Sequence, residues 1–104
     1  MNGTYADTFH KLEALKDTFT DNLELSRVLE KLLGVVLNQH RLRLERYARD
    51  LRDYEERFGM DTRTFQERFE AGELGDSADF FEWDGLYDLH LDLTEKIRRL
   101  ESAL

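Results

Sequence analysis

Cysteine and proline are both missing from this 104-residue sequence. Without cysteine there can be no disulfide, no thiolate nucleophile and no sulfur-ligated zinc centre. That composition is compatible with a reducing cytoplasm, the expected compartment. Without proline nothing removes a hydrogen bond from the interior of a helix, which favours long uninterrupted helices. Glycine is scarce: the six present form neither a G-x-G-x-x-G nor a Walker pattern, so no phosphate cradle is expected. No apolar run approaches the roughly 18 residues that span a bilayer. The first residues, Met1 to Tyr5, lack the basic start and apolar stretch of a secretory signal.

What is present is hydrophobic and charged in near-equal parts, 40% and 37%. That is too apolar for a disordered chain. The length fits one domain, residues 1–104, with a thin stability margin that dimerisation would widen. The net charge of −8 is unevenly spread. Residues 40–52 carry five arginines against Glu45 and Asp50, a local charge of +3. Residues 70–95 carry nine acids and no Lys or Arg. The acidic block argues against nucleic acid, because phosphate repels it. It suits a basic partner, or it is a solvated face.

Apolar spacing organises the chain into helices. Tyr5, Phe9, Leu12, Leu15 and Phe19 recur at steps of three and four, predicting a first helix over 4–19. Thr20-Asp21-Asn22 reads as a cap or short break. A second helix of roughly 50 Å is predicted from Leu23 to Phe58. Its seam, Leu33, Leu37, His40, Leu44, Tyr47, Leu51, Tyr54 and Phe58, alternates steps of four and three. Upstream, residues 28–37 are apolar on more than one face and call for more than one neighbour.

Gly59 and Gly72 each stand just past an apolar helix end, a stop of the Schellman kind. Between them Asp61-Thr62 offers an N-cap for a short third helix holding Phe65 and Phe69. Asp76 or Ser77 caps a last helix over 78–102, whose seam is Trp83, Leu86, His90, Leu93, Ile97, Leu100 and Leu104. The expected fold is all-α. It is a long antiparallel, coiled-coil-like helical hairpin with a short corner helix and an N-terminal helix, assembled as a homodimeric bundle.

Candidate chemistry is thin. His40 and His90 sit in the two seams and read best as polar layers that set register, with pH-dependent assembly as the other reading. No Glu-x-x-His or His-x-x-x-His spacing supplies further metal ligands. His10 pairs with Glu13 as a common surface arrangement. Asp84, Asp88 and Asp92 stack on one stripe, but no glycine-punctuated calcium loop surrounds them. No Ser–His–Asp or Cys–His arrangement can be assembled. No catalytic residue, cofactor or metal site is assigned.

Residues 58–87 are the least ordinary part, with seven aromatics in thirty positions. Adjacent Phe80 and Phe81 point in different directions on a helix, so one can serve the core while the other faces a partner. Aromatic anchors inside an acidic rim form a common protein-binding arrangement. The candidate partner surface is Phe80, Glu82, Trp83, Asp84, Tyr87 and Asp88.

The stretch Arg57-Phe58-Gly59-Met60, then Thr64-Phe65-Gln66-Glu67-Arg68-Phe69-Glu70-Ala71-Gly72-Glu73-Leu74-Gly75-Asp76, then Asp79-Phe80-Phe81-Glu82-Trp83 and Leu86-Tyr87, resembles a family of small, acidic, helical proteins of bacteria and archaea. Members of that family are suspected antitoxins of toxin–antitoxin pairs. The likeness covers about a third of the chain and is most specific in its G-E-L-G-D turn. It implies neutralisation of a basic toxin by binding and assigns no catalytic residue. The expected function is therefore a non-enzymatic protein-binding protein, antitoxin-like. The alternatives are a structural or adaptor coiled coil and, less favoured, a carboxylate- or histidine-based metal enzyme.

Overall fold

The computed structural model describes residues 4–104; the first three residues, weighed above as a possible signal, lie outside that range. Four helices follow in order: α1 (Thr4–Thr18), α2 (Asn22–Phe58), α3 (Thr62–Glu70) and α4 (Ala78–Ala103). No strand occurs among the described residues. The chain divides into two compact units, Met1–Val35 and Val36–Leu104, with the division inside α2.

The helix ends follow local chemistry. Asp21 caps α2: its carboxylate accepts from Leu23 N–H at 2.9 Å. Gly59 ends α2 at φ 66°, where its N–H donates to the Glu55 carbonyl at 2.9 Å. That single bond makes an αL stop rather than the expected Schellman pair. Gly72 ends α3 with the full Schellman pattern. Its N–H donates to Phe69 O and the next N–H, of Glu73, reaches back to Arg68 O. The positive φ of 74° is why glycine stands there. Asp61 caps α3 through Thr64 N–H at 2.7 Å, and Ser77 caps α4 through Asp79 N–H at 3.3 Å.

In the second unit α2 packs against α4. Arg41 pairs with Glu101 at 2.6 Å and Arg57 with Asp79 at 2.9 Å. Numbers rising on α2 thus meet numbers falling on α4, so the two helices run antiparallel. Both ion pairs are exposed, and each contributes at most about 1 kcal/mol. Apolar burial does more. Leu37, Leu93 and Ile97 form one buried cluster, backed by Leu44, Tyr47 and Leu100. Leu51, Phe65 and Trp83 form a second, where α3 closes the corner. His40 and His90 are half-buried in the seams, each with a shielded Nδ1 that has no hydrogen-bond partner among the described residues.

The first unit holds α1 and the start of α2, and none of its described residues is buried. In α1 the predicted stripe is exposed at its start: Tyr5 by 81%, Phe9 by 63% and Leu12 by 50%. Leu15 and Phe19 are half-buried. Residues 28–37 do not gain the several neighbours their composition calls for. Leu37 is buried, Leu29, Leu33 and Val36 are half-buried, and Val28, Leu32 and Val35 stay exposed. The reason is periodicity. Val28, Leu32 and Val35 fall at steps of four and three on a face different from the Leu33–Leu37 seam.

A candidate protein-binding surface at the helical corner

The corner is built on Trp83, the largest fully buried side chain. Its ring stacks on Phe65 at 3.9 Å between centroids and 5° between planes. Tyr54 stacks at 5.5 Å and Phe58 at 5.8 Å. Burying an indole demands a partner for its N–H. That partner is Thr62, at the start of α3, whose Oγ1 accepts from Trp83 Nε1 at 3.1 Å. Thr62 in turn donates its hydroxyl at 2.9 Å and its backbone N–H at 2.8 Å to Glu55 Oε2. One chain of hydrogen bonds therefore ties α4 to α3 and α3 to α2. It also satisfies an N–H at the α3 start that no helical carbonyl can reach.

The sequence places Trp83 both in the seam and on the partner surface; the structure keeps only the first. With no exposure, Trp83 cannot anchor a partner. Phe80 also turns inward, half-buried, with its ring 5.1 Å from Phe58 and 5.7 Å from Phe65. Tyr87 is half-buried against the same cluster. The aromatic that faces outward is Phe81, 58% exposed and held edge-on by Phe69 at 5.3 Å. Sequence periodicity allowed either phenylalanine to be the outer one. The position of α3 decides between them.

The acids divide into two groups. Phe81, Asp84 and Asp88 lie at steps of three and four and share one outer face of α4. Asp84 is half-buried, and its carboxyl is pushed above the usual range, first by burial and then by the charges of Asp88 and Glu70. Glu82 lies off that face and accepts from the Tyr54 hydroxyl at 3.2 Å. Burial and this contact push the Tyr54 phenol up. Glu82 lines a groove of about 410 Å³ with Asp50, Asp53, Tyr54, Arg57 and Leu86. Asp50 and Asp53, which sequence reading left out of the candidate surface, thus stand in one groove with Glu82. Their signal was present but long-range: α2 residues three apart on the side that turns towards α4.

Among the described residues Arg57 is the one cation lining that groove. Its guanidinium bonds Asp79 and lies 5.0 Å from the centre of the Phe58 ring. Three carboxylates around one already paired cation leave the groove short of positive charge. Among the described residues no group of three or more His, Asp or Glu side chains is placed to hold a metal ion. Among the described residues no helix is long and apolar enough to cross a membrane. In comparisons with protein-family models, curated proteins and solved structures, nothing matches the chain.

Proposed function

We propose that the chain is a non-enzymatic protein-binding protein that masks a basic partner in the manner of an antitoxin, and that it acts as a homodimer. The observation that carries this reading is the outer face of α4. There an exposed Phe81 stands beside Asp84 and Asp88, on a corner fixed by the hydrogen-bond chain from buried Trp83 through Thr62 to half-buried Glu55. A rigid aromatic supplies contact area at little cost in entropy. The surrounding acids speed encounter with a basic surface more than they add affinity. The carboxyl of Asp84 is raised first by burial and then by Asp88 and Glu70, and no basic side chain of the same block stands against those two charges. An incoming Lys or Arg would offset them. The groove bounded by Asp50, Asp53 and Glu82 is a second place for such a side chain.

The test is association with the protein encoded beside this one, if that protein is basic. Replacing Asp84 and Asp88 together by Asn is expected to slow association several-fold and to flatten its salt dependence, with helicity unchanged. Replacing Phe81 by Ala is expected to speed dissociation. An on-rate and salt slope indifferent to the Asp pair would reduce the acidic face to a solvated surface. The structural or adaptor coiled-coil reading, favoured by the exposed Val28–Leu32–Val35 stripe, would then stand in its place.

A further inference from the structure

The first unit is the unexplained part of the molecule. Seven of its large apolar side chains are 40–81% exposed: Tyr5, Phe9 and Leu12 on α1, with Leu23, Val28, Leu32 and Val35 on α2. Scattered exposed leucines are ordinary on any protein. Six of these, all but Leu23, are not scattered. Tyr5, Phe9 and Leu12 form one helical stripe, and Val28, Leu32 and Val35 form another, both at alternating steps of four and three. By contrast, the exposed Phe81, Leu89 and Leu91 of α4 do not share one face.

We infer that these two stripes are the surface on which a second copy of this chain docks. The inference rests on the reading that the chain is a homodimer and names where the two copies meet. Area supports it. The six side chains of the two stripes, 40–81% exposed, together present on the order of 600 Å² per chain, the bulk of what a two-chain interface needs once flanking atoms are added. A stable two-chain interface buries about 800 Å² per partner. Charge supports it too. A two-fold interface sets a surface against itself, so it tolerates little net charge of one sign. Residues 1–35 carry four basic and six acidic side chains, a balance of −2. Residues 70–95, with nine acids and no Lys or Arg, would repel their own copy. The balanced surface is therefore fitted to an identical chain and the acidic one to a foreign, basic chain. The docked form is a bundle in which α1 and the start of α2 from each copy share one core.

Sedimentation equilibrium of the full chain at micromolar concentration tests this. The expected species is a dimer. Leu32→Glu with Val35→Glu, and separately Phe9→Glu, are expected to weaken association at least tenfold. Leu89→Glu with Leu91→Glu, equally exposed but on α4, is expected to leave it unchanged. Leu32→Ala with Val35→Ala guards against a misfolded charge variant and should weaken association by a smaller factor, with far-UV helicity retained. A wild-type monomer at these concentrations overturns both self-association and its location. A dimer that survives the α1 and α2 variants, or is broken only by the α4 pair, overturns the location and leaves self-association standing.

Discussion

The corner around Trp83 and the first thirty-five residues use similar materials to opposite effect. Both are rich in aromatic and branched apolar side chains, and both rest on seams of three and four. At the corner a short third helix covers the seam, and Leu51, Phe65 and Trp83 are sealed. In Met1–Val35 no described residue is buried, although the stripes there are as regular. Amphipathic spacing thus specifies which face of a helix is apolar, not whether anything covers it. Coverage depends on a third element arriving, and at the corner that element is nine residues long.

The contrast is broken most severely at Trp83. Trp83→Ala is expected to cost about 3–5 kcal/mol, the range for emptying a large aromatic site in a core. Phe9→Ala, in a dilute single copy, is expected to cost less than about 0.5 kcal/mol, as at other exposed positions. Urea titrations of both variants measure the difference. Comparable losses would mean that the first unit has a core after all.

A smaller effect is expected at Thr62. Thr62→Val keeps the shape but removes the acceptor for the indole N–H and the hydroxyl donor to Glu55. Stranding buried polar groups costs about 1–3 kcal/mol. Thermal unfolding of Thr62→Val and Thr62→Ser checks it, with Ser expected to recover much of the loss.

Asp84 separates binding from stability. Its folded carboxyl is raised, so the contribution to stability is present below the ordinary Asp value, about 3.9, and is lost as pH rises through the raised folded value. At pH 7 the ionised group is therefore a small burden. Asp84→Asn is expected to stabilise by a few tenths of a kcal/mol, the scale of a like-charge pair one helical turn apart. The gain should vanish near pH 3. Melting curves at the two pH values decide, and a loss at pH 7 would mean that Asp84 has a favourable partner.

The smallest effect belongs to Glu95. Two nitrogens of Arg98 grip its carboxylate at 2.6 and 2.9 Å, and this hydrogen bonding holds it down at about 2, with Arg99 adding a weaker contact. A depressed acid stabilises above its unfolded value, about 4.3, and loses that contribution as pH falls towards 2. Because the group is exposed, Glu95→Gln should flatten the acid limb of the melting curve only slightly.

Much of the fold was legible in the residues. Caps and stops are local, so Asp61, Ser77, Gly59 and Gly72 announced where helices begin and end. The α2–α4 pairing followed from two seams and the short segment between them. The candidate site was harder to read. Phe80 and Phe81 are adjacent and chemically identical, and only α3 tells them apart. Trp83 matched both a seam and a binding anchor, and only its contacts choose. The Glu55–Thr62–Trp83 chain joins positions up to 28 residues apart with no shared period, and a still longer separation hid the convergence of Asp50 and Asp53 with Glu82.

Trp83 is the sole tryptophan in the sequence, and it lies wholly within the corner. Its fluorescence therefore watches one unit of the chain and is blind to the other. Far-UV dichroism counts helix everywhere, α1 included. Two such probes coincide only when the whole chain melts as one. If Met1–Val35 frays first, the dichroism falls while the emission holds. The single indole is thus a built-in divider of the unfolding curve into its two parts, with no label attached.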